Sequence, residues 1–261
     1  MIRFASLGSG SQGNGLVVAA RDGVVLVDCG FSLRDTEARL ARLGMCPTDL
    51  SAILVTHEHS DHLSGVFSFA RRHALPVHLT HGTWCAAETR LAGRAETVRA
   101  LCRPIRAEAD FVVGGLVVCP FSVPHDAREP VQFVFESVGR RLGMLTDCGR
   151  VTPHVVDALR PCDALFLEFN HDRERLAISS YPPFLRARIA GGYGHLENTQ
   201  ALGLLQTLGT GRLQHLVAAH LSAENNCPQA VAALLAPLFH EGGSRFEVAD
   251  QVGGHDWRTV E

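Results

Sequence analysis

The chain has 261 residues, of which 46% are hydrophobic and 20% are charged, and its formal net charge at pH 7 is −3. This composition excludes a disordered chain, and the net charge provides no general electrostatic attraction to nucleic acid. All 24 basic residues are arginine, which excludes both a P-loop lysine and a Schiff-base lysine.

The first half of the chain alternates short apolar runs with turn residues and helical patterns. Strands are predicted at Ile2–Leu7, Leu16–Ala19, Val24–Val27, Ala52–Thr56 and Pro76–Leu79. Helices are predicted at Arg34–Gly44, Leu63–His73 and Trp84–Leu91. In the second of these helices, apolar side chains recur at the three- and four-residue spacing of one helical face.

The second half of the chain resembles the first in kind. Strands are predicted at Phe111–Val113, Leu116–Val123, Gln132–Ser137, Arg141–Leu145, Ala164–Phe169, Leu216–Ala219 and Arg245–Ala249. Helices are predicted at Val155–Leu159, Asn198–Leu208 and Gln229–Phe239. Because no linker or short repeat interrupts this order, we expect one domain over residues 1–261, with sheets packed inside helices.

The cysteines and the apolar runs bear on the cellular compartment. The chain has eight cysteines, and none forms a C-x-x-C pair. No secretory signal precedes the first predicted strand, and no apolar run reaches the length that spans a bilayer. The sequence therefore predicts a protein of the reducing cytoplasm with no membrane partner.

The segment 56–62 carries the strongest pattern of candidate metal ligands. Four of them follow a predicted buried strand directly: His57, His59, Asp61 and His62. Imidazole and carboxylate ligands suit zinc, manganese or iron. His57 and His59 are two positions apart and share a face only in an extended loop, whereas the chain must turn between Asp61 and His62. The pattern therefore predicts two metal ions, one on each pair.

The spacing H-x-H-x-D-H after a strand resembles the hallmark of the metallo-β-lactamase fold, and the resemblance extends over nearly the whole chain. It implies an α/β protein built as a four-layer αββα sandwich. V-D-C-G at 27–30 is similar to that fold's first motif, in which the aspartate orients the metal loop. Asp28 is thus expected to hold ligands in place without binding metal itself.

Three further motifs resemble those of the same fold and imply one ligand each. P-H-D at 124–126 offers His125 to the first metal, and A-H-L-S at 219–222 offers His220 to the second. L-T-D-C-G at 145–149 supplies Asp147 as the carboxylate that bridges both ions. The implied cofactors are two divalent ions, Zn²⁺ or Mn²⁺, and the nucleophile is a hydroxide that bridges them.

Within this fold, several motifs resemble those of the YycJ/WalJ-like group. They are F-A-S-L-G-S-G-S-Q-G-N at 4–14, P-H-D-A-x-E-P at 124–130, E-F-N-H-D at 168–172, G-H-L-x-N at 194–198 and H-L-S-x-x-N-N at 220–226. The resemblance implies a dinuclear phosphodiesterase, specifically a 5′→3′ exonuclease whose partner is DNA.

Asp61, His195 and Glu168 are the predicted catalytic residues. His195 precedes a predicted helix whose first N–H groups could hold a phosphate, and in related nucleases a histidine at this place protonates the leaving oxygen. Glu168 is predicted as a partner for His195. A structural role for His195 at the helix start stays open. The roles of His171 and of the loop Gly8–Gly15 also stay open.

Two alternative functions remain at this stage: a glyoxalase-type thioester hydrolase and a phosphodiesterase of small cyclic substrates. A β-CASP nuclease is excluded, because 73 positions between Asp147 and His220 leave no room for its inserted domain. The sequence does not decide the native metal, DNA against RNA, the direction of cleavage or the oligomeric state, for which a homodimer is one candidate.

Overall fold

Two β-sheets stacked face to face form the centre of the protein. The computed structural model describes residues 1–91, 93, 95–239 and 245–261. Within these residues each sheet has seven strands, and helices pack against the outer face of each sheet.

The first sheet contains β1 (Ile2–Gly8), β2 (Gly15–Ala20), β3 (Gly23–Val27), β4 (Ala52–Leu54), β5 (Val77–Thr80), β6 (Cys102–Ile105) and β14 (His255–Val260). Its strand order is β14-β1-β2-β3-β4-β5-β6. Antiparallel pairing joins β14 through β3, and parallel pairing joins β3 through β6. The carboxyl ends of β3 and β4 therefore lie side by side at one edge of the sheet.

The second sheet contains β7 (Phe111–Val113), β8 (Leu116–Ser122), β9 (Val131–Ser137), β10 (Arg140–Leu145), β11 (Ala164–Glu168), β12 (His215–Ala219) and β13 (Arg245–Val248). Its order is β13-β12-β11-β10-β9-β8-β7. The strands β10 through β13 pair in parallel and the others are antiparallel. The carboxyl ends of β10, β11 and β12 are therefore adjacent.

Helices form the two outer layers. The α-helices are α1 (Leu33–Arg42), α2 (Ser60–Leu63), α3 (Val66–His73), α4 (His81–Arg90), α5 (Ala95–Arg99), α6 (Pro153–Leu159), α7 (Arg173–Ile178), α8 (Pro183–Ile189), α9 (Asn198–Leu208) and α10 (Pro228–Leu235). Short 3₁₀ helices lie at Pro47–Asp49 and Ala236–Leu238.

Three apolar clusters separate the four layers, and the alternation of side chains along a strand determines which cluster each residue joins. In β3, Val25 and Val27 face the cluster between the sheets, whereas Leu26 faces the helices of the first outer layer. In β11, Phe166 faces the central cluster and Leu165 faces the helices of the second outer layer. Strands β3 and β11 are thus buried on both faces, between the other sheet and a helical layer. The predicted four-layer αββα sandwich is confirmed.

The predicted helix Leu63–His73 is divided in the structure. Helix α2 begins at Ser60, and the chain breaks at Gly65 before α3 starts. A Cβ on Gly65 would lie 1.9 Å from the carbonyl oxygen of Phe31, so this close backbone approach requires glycine. The break confines the last residues of the candidate ligand motif to a separate short helix.

Five of the described strands and α-helices lie outside the predicted elements, and each lacks the apolar periodicity on which the prediction relied. β6 is an edge strand that contains Pro104, and β14 consists mainly of polar and charged residues. α5, α7 and α8 are short helices with at most one buried side chain each. None of the described helices combines the length and apolar character that crossing a membrane requires.

Candidate metal centre

The predicted ligands meet where the carboxyl ends of the two sheets face each other. His57 to His62 follow β4, Asp147 follows β10, and His220 follows β12. Asp28, Asp147 and His220 each lie within two residues of the end of a strand, and each has a positive φ of 54–60°. Left-handed backbone is costly for residues other than glycine, and strain of this kind is concentrated at functional sites.

Three histidines form the first ligand group. One donor atom from each of His57, His59 and His125 lies within 4.8 Å of the other two. The Nδ1 of His125 lies 3.0 Å from the carbonyl oxygen of Gly194, so this nitrogen carries the hydrogen and leaves Nε2 free. That Nε2 is 3.2 Å from the Nδ1 of His59. Free ring nitrogens from two loops therefore converge on one point.

Asp61, His62 and His220 form the second group, again with donor atoms within 4.8 Å. The Nε2 of His62 lies 3.1 Å from Asp147 Oδ2, and the Nε2 of His220 lies 3.7 Å from the same oxygen. The other oxygen, Oδ1, is 3.7 Å from the Nε2 of His125 in the first group. Asp147 therefore faces both groups at once.

Two buried atoms at the centre test whether cations fit there. The Nε2 of His57 and the Oδ2 of Asp147 are buried, and neither has a hydrogen-bond partner. A buried polar atom without a partner is costly, and both atoms are donors of the kind that divalent metals bind. The residues present therefore fit divalent cations.

Asp28 lies beneath the ligand loop and is fully buried. Its Oδ1 accepts the backbone N–H of Thr56 at 2.9 Å, and its Oδ2 accepts the Thr56 hydroxyl and the Nδ1–H of His62, each at 2.8 Å. The Thr56 hydroxyl in turn accepts the Nδ1–H of His57 at 2.9 Å. Asp28 thereby aims the Nε2 atoms of two candidate ligands at the centre without facing it.

Glu168 has the corresponding position under the second sheet and is also fully buried. Its Oε1 accepts the Nδ1–H of His195 at 2.8 Å and that of His220 at 3.0 Å. Its Oε2 accepts the backbone N–H groups of Cys148 and Leu196, both at 3.0 Å. Glu168 was predicted among the catalytic residues as a partner for His195, and its contacts with His195 and His220 are those of a positioning residue.

Charged neighbours shift the pKa values of several groups in the centre. Burial raises the pKa of Asp147, but the His220 and His62 rings outweigh burial and hold it well below its usual range. Burial also opposes ionisation of Glu168, yet its two histidine partners lower its pKa to about 2. Burial lowers the pKa of His57 well below its ordinary value and so keeps this ring neutral, as a metal ligand must be.

A cleft of about 570 Å³ opens over the centre. Its lining includes the ligands His59, Asp61, Asp147 and His220, together with His195, Arg90 and Arg188. The His195 side chain is 21% exposed and lies at the cleft wall. Burial lowers the pKa of His195, but Glu168 outweighs it and raises that pKa above the usual value.

Sequence reasoning left the loop Gly8–Gly15 and His171 open. Ser11 lines the cleft, and Asn14 Nδ2 lies 3.2 Å from Asp61 Oδ2 and 3.1 Å from His62 Nε2. The loop therefore supports the second ligand group. His171 is buried, lies 3.3 Å from Asn170 Oδ1 through its Nδ1, and is absent from the described lining of the cleft.

Comparisons with known proteins agree with this geometry. Residues 24–220 match the family model described as a beta-lactamase superfamily domain. The chain is 34% identical over 255 residues to the exodeoxyribonuclease YycJ of Bacillus anthracis. This alignment covers 98% of this chain and 95% of that protein. It is also 34% identical over 226 residues to the exodeoxyribonuclease WalJ of Streptococcus pneumoniae, covering 86% and 83% of the two proteins.

Among solved structures, zinc-bound PqqB from Methylobacterium extorquens superposes with a TM-score of 0.72. The match covers 99% of this chain and 100% of that one, at 17% sequence identity. At this identity the likeness concerns the fold.

Proposed function

The chain belongs to the β-lactamase superfamily and to its family of YycJ and WalJ exodeoxyribonucleases, and from this premise we propose that it is a 5′→3′ exodeoxyribonuclease with two divalent metal ions. It is a metal-dependent hydrolase of phosphodiester bonds. The observation that carries the proposal is Asp147, whose two oxygens face two separate groups of ligands.

The two groups would hold Zn²⁺ or Mn²⁺. His57, His59 and His125 would bind one ion, Asp61, His62 and His220 the other, and Asp147 would contact both. Divalent ions bound there would supply an activated water and neutralise charge on the phosphoryl group. Asp28 and Glu168 would hold the ligand rings in the required orientation.

His195 would act as the general acid. Its Nδ1–H is donated to Glu168, so Nε2 is the ring nitrogen left for a proton transfer at the cleft. Glu168 favours the charged ring, which keeps a proton on Nε2 until the leaving oxygen of the broken phosphodiester bond takes it.

Arg90 and Arg188 would bind phosphates of the strand on either side of the centre. Both line the cleft, and Arg90 is held by a 2.7 Å hydrogen bond to the carbonyl oxygen of Glu58. Arg188 is held by Asp126. A guanidinium binds phosphate through two parallel hydrogen bonds, so these two side chains suit a nucleic acid backbone.

The proposal extends to the whole chain. Residues 1–261 would form one domain, and the enzyme would act on DNA in the cytoplasm. All eight cysteines are free, which suits a reducing compartment. A homodimer stays a prediction.

The test uses DNA strands labelled at either end, with Mn²⁺ or Zn²⁺ added. A 5′→3′ exonuclease releases the 5′ label as a mononucleotide at once, whereas a 3′ label stays on strands that shorten stepwise. Asp147→Asn should abolish both patterns. Asp157→Asn, on the exposed face of α6, is the matched control and should cleave like the wild type.

Three results would contradict the proposal in distinct ways. Release of the 3′ label before the 5′ label would show that the enzyme cleaves in the 3′→5′ direction. Cleavage of labelled RNA or of a cyclic phosphodiester while DNA stays intact would change the substrate. Hydrolysis of a thioester with all phosphodiesters intact would replace the reaction by that of the glyoxalase type.

A further inference from the structure

The segment between β11 and α9 forms one wall of the cleft. Helix α8 and the residues around it contribute Tyr181, Leu185, Arg188, Ile189 and His195 to the lining. This wall includes His195, the proposed general acid. Its other side chains are therefore placed to contact whatever extends from the scissile bond.

Three aromatic side chains lie on this wall, and two of them are mostly exposed. The chain has two tyrosines, and both Tyr181 and Tyr193 belong to it. Phe184 is 73% exposed and Tyr193 is 57% exposed. Of the described residues, these are the large aromatic side chains with most of their surface in solvent, and neither belongs to a core cluster. Exposed apolar groups beside a cleft indicate a binding surface.

The charge of the same wall is positive. From residue 175 to residue 196 the sequence contains three arginines and no aspartate or glutamate, and one of the three, Arg188, pairs with Asp126 from a neighbouring loop, so the segment keeps a net positive charge. Phe184 and Arg188 are four residues apart on α8 and so lie on one face, about 6 Å apart at their Cβ atoms. On the neighbouring loop, the Arg150 guanidinium lies 5.5 Å from the ring centroid of Tyr193. Two exposed aromatic rings of the wall therefore each have a guanidinium group nearby.

We propose that this wall is a stacking platform for the unpaired bases of a single nucleic acid strand. The proposal deepens the proposed nuclease function and rests on it. Bases stack on exposed aromatic rings while arginines bind the adjacent phosphates, a combination typical of sites for single-stranded nucleic acid. A duplex end buries its bases against each other, so Phe184 and Tyr181 would favour an end whose bases are free.

The occupant is a polyanion with aromatic faces, and not a second copy of this chain. An apolar protein surface would have to bury the net positive charge that remains on the wall after Arg188 pairs with Asp126, which is unfavourable. A nucleic acid strand satisfies both the rings and the guanidinium groups. The helix is seven residues, or about 10 Å, long, which matches roughly three nucleotides at about 3.4 Å each.

The experiment measures binding by fluorescence anisotropy, with a chelator present so that no cleavage occurs. It compares an oligothymidine with an abasic strand of the same length and charge. The wild type should bind the oligothymidine about tenfold tighter, as base stacking predicts. Phe184→Ala should reduce that ratio severalfold, and Phe184→Trp should restore it.

Val138→Ala is the matched control, since Val138 is 85% exposed on the turn between β9 and β10. It should leave the ratio unchanged. An unchanged ratio in Phe184→Ala would overturn the proposal, as would an equal loss of affinity for both strands. A wild-type dimer that Phe184→Ala converts to a monomer would identify the wall as a protein interface instead. If the wild type preferred the oligothymidine but showed no nuclease activity with metal added, the proposed nuclease function would be wrong and the stacking platform would still stand.

Discussion

Asp28 and Glu168 are both fully buried carboxylates, and each lies beneath ligands that belong to a different sheet. All the side-chain partners of Asp28 come from one loop, between Thr56 and His62. The partners of Glu168 come from three loops that the sheet brings together. The ligands above Asp28 are therefore held by residues close in sequence. The groups above Glu168 come from three separate loops, and the Glu168 carboxylate is the acceptor that they share.

This difference has a functional consequence. Asp28 orients candidate metal ligands only, His62 directly and His57 through Thr56. Glu168 orients the candidate ligand His220 and also His195, which lines the cleft. Disturbing Asp28 should change metal binding and nothing else. Disturbing Glu168 should change both metal binding and proton transfer.

Glu168→Gln should produce the largest effect. The amide –NH₂ must face either two backbone N–H groups or two histidine N–H groups, so the side chain loses half of its hydrogen bonds. We expect activity at low metal to fall about 10⁴-fold, as the product of weaker metal binding and lost proton transfer. Steady-state rates measured across a metal titration should show that kcat stays below the wild-type value even when metal saturates the site. Full recovery of activity at high metal concentration would show that Glu168, like Asp28, affects metal binding only.

His195→Ala should reduce kcat by about 10²-fold and leave metal content unchanged. The loss should shrink for a substrate whose leaving group is p-nitrophenolate, because that group departs without a proton. Comparing DNA with this activated phosphodiester separates an acid from a structural histidine. An equal loss on both substrates, or loss of metal, would argue against the acid.

Asp28→Asn should weaken metal affinity by about 10–100-fold. The amide replaces an oxygen that accepts the His62 Nδ1–H and the Thr56 hydroxyl, so the ligand loses its orientation. In contrast to Glu168→Gln, kcat should return to the wild-type value once metal saturates the site. Isothermal titration with Zn²⁺, alongside rates at saturation, would measure both quantities, and a kcat that stays low would erase the contrast between the two carboxylates.

Asn14→Ala should have the smallest effect, about a fivefold loss of metal affinity. Its Nδ2 supports Asp61 and its Oδ1 accepts the N–H of Gly10, so one net hydrogen bond of about 1 kcal/mol is lost at the ligand. Competition with a chromophoric chelator is sensitive enough to detect this change. A loss as large as that of Asp28→Asn would show that the glycine-rich loop is as important as the buried carboxylate.

The layered fold could be predicted from the sequence because its strands are apolar on both faces, as in β3 and β11. The local half of the centre could be predicted as well, since His57 to His62 are close in sequence. The parts that could not be predicted depend on long-range contacts. Nothing near residue 168 indicates that its Oε2 accepts the N–H groups of Cys148 and Leu196.

Helices α7 and α8 were missed for a related reason. Helical periodicity in a sequence reports burial against a core, and α8 has no buried side chain. Its apolar residues face solvent beside the cleft, where they would serve a ligand. Strand β14 was also missed, because its pairing with β1 depends on backbone hydrogen bonds that residue types do not reveal.

The central claim is that two ligand groups share Asp147 and hold two divalent ions. Native mass spectrometry of the protein equilibrated with Zn²⁺ or Mn²⁺ counts the ions on each chain directly. The account predicts two ions per wild-type chain and at most one in Asp147→Asn. A single ion per wild-type chain at saturation, or two ions retained by Asp147→Asn, would contradict it.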